Sequence, residues 1–150
     1  MPNWCENSIV IESDEETLKE IKEFVAGDNS EFSFFSILPH EGEWDYNWCV
    51  KNWGTKWDAG SGHRVETPGS LTYYFNTAWA PPEPVIERLS ELFPKATIRH
   101  AYDEPGMDFG GYTIYAGGVE VERVEGDSRC TTYHEMASYV EVDTTTQLSV

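Results

Sequence analysis

The chain has 150 residues, 14% of them aromatic, and a formal net charge of −17 at pH 7. That length fits one domain burying about 68–70% of its unfolded surface, and the aromatic content excludes disorder of the whole chain. No apolar run approaches the ~20 residues of a membrane span, and so acidic a chain is repelled by nucleic acid and by anionic membranes.

The opening Met1-Pro2-Asn3-Trp4-Cys5-Glu6 lacks the basic and apolar regions of a signal peptide, so a cytoplasmic location is expected. Cys5, Cys49 and Cys130 are odd in number and widely spaced, which favours reduced thiols over a disulfide framework or a zinc site. From Cys5 to Glu12 the residues alternate, with Cys5, Asn7, Ile9 and Ile11 on one face of a strand. Ser13-Asp14-Glu15-Glu16 reads as a capping box with Ser13 as N-cap. A helix follows, with Leu18, Ile21 and Val25 as its apolar stripe and Gly27 as its end. Its other face carries Glu15, Glu16, Lys19, Glu20, Lys22 and Glu23.

Phe32 to Leu38 is a short apolar segment, either a strand or a piece packed against one. Residues 40–62 form a Trp-rich insert with Trp44, Trp48, Trp53 and Trp57. Gly54 and the step of five between Trp48 and Trp53 interrupt helical spacing, which predicts a structured loop. Buried aromatics cover roughly 150–250 Å² each, so these rings and Trp79 define a packing centre. Trp53, Trp57 and Trp79 are expected to be largely buried. A ligand platform of Trp48, Trp53, Lys56, Trp57 and Trp79 is the functional alternative, and Lys56 is expected to stack on an indole or pair with an acid.

His63–Thr67 and Leu71–Thr77 read as strands joined at Pro68-Gly69-Ser70. Pro81-Pro82-Glu83-Pro84 opens a helix that Pro94 stops, with Val85, Ile86, Leu89, Leu92 and Phe93 as its apolar face. Ala96 to Asp103 alternates as a strand, and 112–125 forms a hairpin about Gly117-Gly118. A two-residue turn there sets Tyr115 opposite Glu120 and Ile114 opposite Val121, and lines Glu120 and Glu122 along one face. Residues 126–150 form an acidic, Ser/Thr-rich extension, with a short helix predicted from Tyr133 to Tyr139. The order βαββαβ predicts an α+β, ferredoxin-like antiparallel sheet over 1–125, carrying the Trp-rich insert and an added C-terminal hairpin.

Several stretches together resemble one family: Met1-Pro2-Asn3-Trp4-Cys5-Glu6-Asn7, Asn52-Trp53-Gly54-Thr55-Lys56-Trp57-Asp58 and Thr77-Ala78-Trp79-Ala80-Pro81-Pro82. So do Leu89-Ser90 with Phe93-Pro94, and Tyr102, Glu104, Gly106, Phe109 and Gly111 in their spacing. The chain is similar here to the YubB-type ferredoxin-like domain of phage and plasmid proteins, over roughly residues 1–118. The resemblance implies a ferredoxin-like fold and a mobile-element origin. It carries no established activity and no catalytic residue.

The acidity is uneven. Residues 1–50 carry twelve acids against two lysines, and 101–150 ten acids against two arginines, while 51–100 carry five acids against six bases. Solubility alone does not require such segregation. The first reading is therefore a non-enzymatic acidic protein that occupies a basic surface of a host or defence protein, with inhibition by nucleic-acid mimicry as its sharp form. Glu15, Glu16, Glu20, Glu23, Glu120, Glu122, Glu125 and Asp127 are the candidate contact residues. A small enzyme or ligand-binding domain with the insert as pocket is the alternative, with Asp103, Glu104 and Asp108 as acids, bases or metal ligands. Those three lack an EF-hand spacing and read more simply as an acidic turn. A metal, a cofactor and direct nucleic-acid contact are not expected, and an RNA-recognition-like module is disfavoured by charge.

Overall fold

The computed structural model describes residues 3–128. The chain runs β1 (Trp4–Glu12), α1 (Glu15–Val25), α2 (Phe34–Ile37), α3 (Tyr46–Trp53), β2 (Gly60–Thr67), β3 (Ser70–Ala78), α4 (Glu83–Leu92), β4 (Thr97–Glu104), β5 (Phe109–Ala116) and β6 (Val119–Gly126). The six strands form one sheet in the order β2-β3-β1-β4-β5-β6, every neighbouring pair antiparallel. Its first four strands, with α1 and α4, are the expected ferredoxin-like unit, and the β5–β6 hairpin widens the sheet beyond β4.

Alternation sets the two faces. Cys5, Asn7, Ile9 and Ile11 of β1 are buried on the helical face with Leu71, Tyr73 and Phe75 of β3 and Ile98 and His100 of β4. One core cluster joins these strand residues to Leu18, Ile21 and Val25 of α1, Val85, Ile86 and Leu89 of α4, and Phe32, Phe34 and Trp53 of the connecting segments. Trp4, Glu6 and Glu12 fall on the opposite face.

Local chemistry displaces several expected boundaries. Asp14, not Ser13, caps α1: its Oδ2 accepts from the Thr17 N–H at 3.1 Å, and the Ser13 hydroxyl donates to Asp14 Oδ1. An acid at the cap also meets the positive end of the helix dipole, and these contacts hold the Asp14 carboxyl down at about 2. The helix ends at Val25 with Ala26 as C-cap, two residues before Gly27.

The segment after Phe32 is not a strand but the short helix α2, packed against the sheet through Phe34 on Phe75. Asp58, from 24 residues further on, caps it by accepting from Phe34 N–H, Phe35 N–H and the Ser33 hydroxyl. The Trp-rich insert likewise contains a helix, α3. Asp45 accepts from the Trp48 N–H to start it, and Gly54 in the left-handed conformation (φ 81°) ends it. A Cβ at Gly54 would lie 2.9 Å from Pro84 Cδ, so this cap also permits the approach of α4.

The β5–β6 hairpin departs from the expected register. Tyr115 does face Glu120, but an irregularity between Ile114 and Tyr115 sets Ile114 opposite Glu122 rather than Val121. The extra residue puts Glu120, Arg123 and Glu125 on the helical face, with Tyr115, Thr113 and Gly111, and turns Glu122 to the other face. Glu120 and Glu122 therefore do not line one face. The helix expected at Tyr133–Tyr139 and most of the extension lie outside the described residues. Among the described residues no helix is long and apolar enough to cross a membrane.

Candidate binding surfaces

The tryptophans divide into a plug and a corner. Trp53 is 3% exposed; its indole N–H donates to the Leu38 carbonyl at 2.9 Å, and its ring meets Phe34, His40 and half-buried Trp48. Trp57 and Trp79, expected to be buried, are 41% and 43% exposed. They flank the Lys56 ammonium, which lies 4.2 Å from each ring centroid. Trp4, 42% exposed, joins the corner with its ring 6.1 Å from Trp57.

The reason Trp79 is not buried lies in its backbone. Its φ is +68°, a conformation that bulky residues rarely adopt. The strand ends here, and three contacts hold the bend: Trp79 N–H to the Asn3 carbonyl, Thr77 hydroxyl to the Ala80 carbonyl and Thr55 hydroxyl to the Ala78 carbonyl. The alternation of β1 already put Trp4 with Glu6 on the solvent side, so its place in the corner was readable from the sequence.

One group of acids lies on the helical layer. α1 packs over β3, and α4 over β4, β5 and β6, so α4 lies between the first helix and the hairpin. Glu16 and Glu20 line a hollow of about 320 Å³ with Leu92, Phe93, Pro94 and Lys95 at the end of α4. Glu15 is engaged by the Gly69 N–H, and Glu23 is exposed. On the far side of α4, Arg123 binds Glu83 at 2.8 Å, Glu120 at 2.7 Å and Glu125 at 3.1 Å. Its bonds to Glu120 and Glu83 raise the Arg123 pKa further, and the bond to Arg123 lowers that of Glu120. Glu122 lies on the other face of the sheet, and exposed Asp127 follows the end of β6. Glu83, Glu87 and Glu91 on α4 are not among the expected contact acids because their third of the chain is nearly neutral, although their i, i+4, i+8 spacing is visible in the sequence.

The acids at 103–108 form a turn rather than one cluster. Glu104 accepts from the Gly106 and Met107 N–H groups at 2.8 Å, whereas Asp103 and Asp108 accept from the Ser128 hydroxyl and N–H. Register places Glu104 and Asp103 on opposite faces of β4. Behind them runs a buried polar chain. Asn7 donates to the Cys5 carbonyl and to Thr77 Oγ1, which leaves its Oδ1 to accept from His100 Nε2–H at 2.9 Å. Burial and the Arg123 charge push the His100 pKa down to about 3, and burial pushes the Cys5 thiol up to about 12. Both groups are thereby kept neutral, and the chain serves the core.

A further hollow of about 580 Å³ opens where α3 ends, α4 begins and the β4–β5–β6 strand ends meet. Gly54, Pro81, Pro84, Tyr102, Phe109, Gly110 and Gly126 line it, with Glu83 and Glu125 at its sides.

The model of the ferredoxin-like domain in Api92-like protein matches residues 52–145. The uncharacterized protein YubB of Escherichia coli (strain K12) is 32% identical over 85 residues, which are 55% of this chain and 58% of the relative. The chain thus matches under two thirds of that relative's length. The crystal structure of a protein api92 from Yersinia pseudotuberculosis superposes with a TM-score of 0.66 at 12% identity, covering 87% of this chain and 99% of that one, a likeness of fold. Its sheet is ferredoxin-like and the family model matches more than half its length, so the chain belongs to the family of ferredoxin-like domains of Api92-like proteins.

Proposed function

We propose that this protein is a non-enzymatic acidic binding protein of phage or plasmid origin, which occupies a basic surface of a host or defence protein. The contact face is the helical layer. The observation that supports this reading is the convergence of acids from three separate elements on that layer: Glu16 and Glu20 of α1, Glu87 and Glu91 of α4, and Glu120 and Glu125 of β6. The chain carries a net charge of −17, and these carboxylates give the layer its share of it; such a charge draws a basic partner by long-range attraction, which raises the association rate and fades with salt. Mimicry of nucleic acid is the stricter form, in which the carboxylates stand in for phosphates.

The test begins with capture of the partner from host lysate and continues with association kinetics on the purified pair. Changing Glu16, Glu20 and Glu87 together to Lys should lower the on-rate about tenfold or more at low salt, while Glu122→Lys, on the other face, should leave it nearly unchanged. Equal binding at high and low salt would refute the electrostatic reading. A ternary complex of partner, nucleic acid and this protein would refute mimicry alone.

One observation favours a second reading. Trp4, Trp57 and Trp79 are half-exposed around Lys56, and the strained Trp79 backbone is the sort of feature that persists at binding sites. On this reading the corner is a platform for a ligand, and loss of ligand binding with unchanged folding in Trp79→Ala is the result to look for.

A further inference from the structure

We propose that the hollow between the start of α4 and the ends of β4, β5 and β6 is a socket for an arginine side chain of the basic partner. This rests on the reading of a basic partner and assigns its anchor point.

Three features converge there. The first is charge stoichiometry. Arg123 is one guanidinium held by three carboxylates, Glu83, Glu120 and Glu125, so its own positive charge leaves two negative charges unneutralised. Two of those carboxylates, Glu83 and Glu125, reach the hollow.

The second is an unused polar group. Tyr102 is 4% exposed and lines the hollow, yet no hydrogen bond among the described residues engages its hydroxyl. The hydroxyl is not sealed in the core, so a group that enters the hollow can reach it. Burial, and next the carboxylates of Glu83 and Glu125, push its pKa up to about 12. It is therefore a neutral hydroxyl, able to accept one N–H of a cation that bridges the two acids.

The third is shape. The walls are apolar rings, Pro81, Pro84 and Phe109, which suit the methylene stem and the flat face of an arginine. Gly54, Gly110 and Gly126 present no side chains into the space. A Cβ at Gly110 would lie 3.1 Å from Asp103 Oδ1 and 3.2 Å from the Tyr102 carbonyl. A guanidinium offers five donors in a planar fork and can satisfy two carboxylates and a hydroxyl at once; an ammonium is a point charge and matches this array less well. The same carboxylates already grip a guanidinium from inside the molecule.

The test is nuclear magnetic resonance titration of the full chain with three peptides, Ac-Gly-Arg-Gly-NH2 and its lysine and citrulline counterparts. The arginine peptide should give saturable shifts centred on the amides of Gly54, Gly110 and Gly126 and on the Tyr102 ring. The lysine peptide should bind several-fold more weakly, and the citrulline peptide, isosteric but uncharged, about tenfold or more weakly. Tyr102→Phe removes only the hydroxyl, and Glu125→Gln removes one charge while keeping an oxygen that can accept from Arg123; each should reduce affinity several-fold and leave the overall fold intact. Shifts spread over the α1 acids, with no preference for arginine, would overturn the socket while leaving a basic partner in place. No shift with either cationic peptide at low salt would overturn both.

Discussion

Truncation of Trp53 to alanine is the sharpest test of how the insert is held. The ring is nearly inaccessible and contacts Phe34, His40 and Trp48 at centroid distances of 5.8, 5.8 and 5.6 Å. Removing roughly 150 Å² of buried apolar surface at about 25 cal/mol per Å² forfeits about 4 kcal/mol. The Leu38 carbonyl also loses its indole donor, which adds about 1 kcal/mol. The sum, about 5 kcal/mol, lies at the upper end of the range for a large aromatic cut to alanine. In a chain of this size each kcal/mol shifts Tm by about 2–4 °C, so a fall of about 10–20 °C is expected in a thermal melt followed by near-ultraviolet circular dichroism. Trp57→Ala is the internal control. Its ring is 41% exposed and meets Lys56 and the Trp4 ring, so the same area bookkeeping gives about 2 kcal/mol, roughly half the Trp53 loss. A Trp53→Ala shift no larger than that of Trp57→Ala would refute the division into plug and corner.

Three other outcomes follow from the same geometry. Asp58→Ala removes the acceptor of Phe34 N–H, Phe35 N–H and the Ser33 hydroxyl and should cost about 1–2 kcal/mol in urea unfolding, with amide exchange rising first at 33–38; uniform exchange would contradict a local cap. The folded His100 pKa is depressed from 6.5 to about 3, so between those values the unfolded chain binds the extra proton and stability falls as pH falls, by at most about 1.4 kcal/mol per pH unit. Urea midpoints at pH 7, 6 and 5 test this, and a neutral His100→Gln variant that keeps the full acid dependence would remove His100 as its source. Gly111→Ala would put a Cβ 2.3 Å from the Val124 carbonyl, so it should separate β6 from β5, seen as loss of exchange protection across 119–126; retained protection would show that the hairpin can shift its register.

Much of the fold was legible because periodicity is a local property. The alternation of Cys5, Asn7, Ile9 and Ile11 fixed the core face of β1, and the stripe Leu18, Ile21, Val25 fixed that of α1. With the order of elements and right-handed crossovers, this was enough for the sheet. The capping error was small because Ser13 and Asp14 are both competent caps, and only the position of the Thr17 N–H chose between them.

What escaped the sequence depended on groups far apart in the chain. α2 is capped by Asp58, an acceptor no local window contains. Gly54 interrupts the helical spacing of the tryptophans, yet it is the left-handed cap of α3 and the point where α4 comes close. One irregularity in β5–β6 reversed the faces of every later residue in β6, separating Glu122 from Glu120 and delivering Arg123 to Glu83. The tryptophans make the limit plain. Trp53 and Trp57 are the same residue four positions apart, one in the core and one at a corner. Residue type set how much surface each could bury; which of them was covered depended on where α2, α4 and the end of β3 arrived, and those are long-range packing decisions that no local pattern encodes.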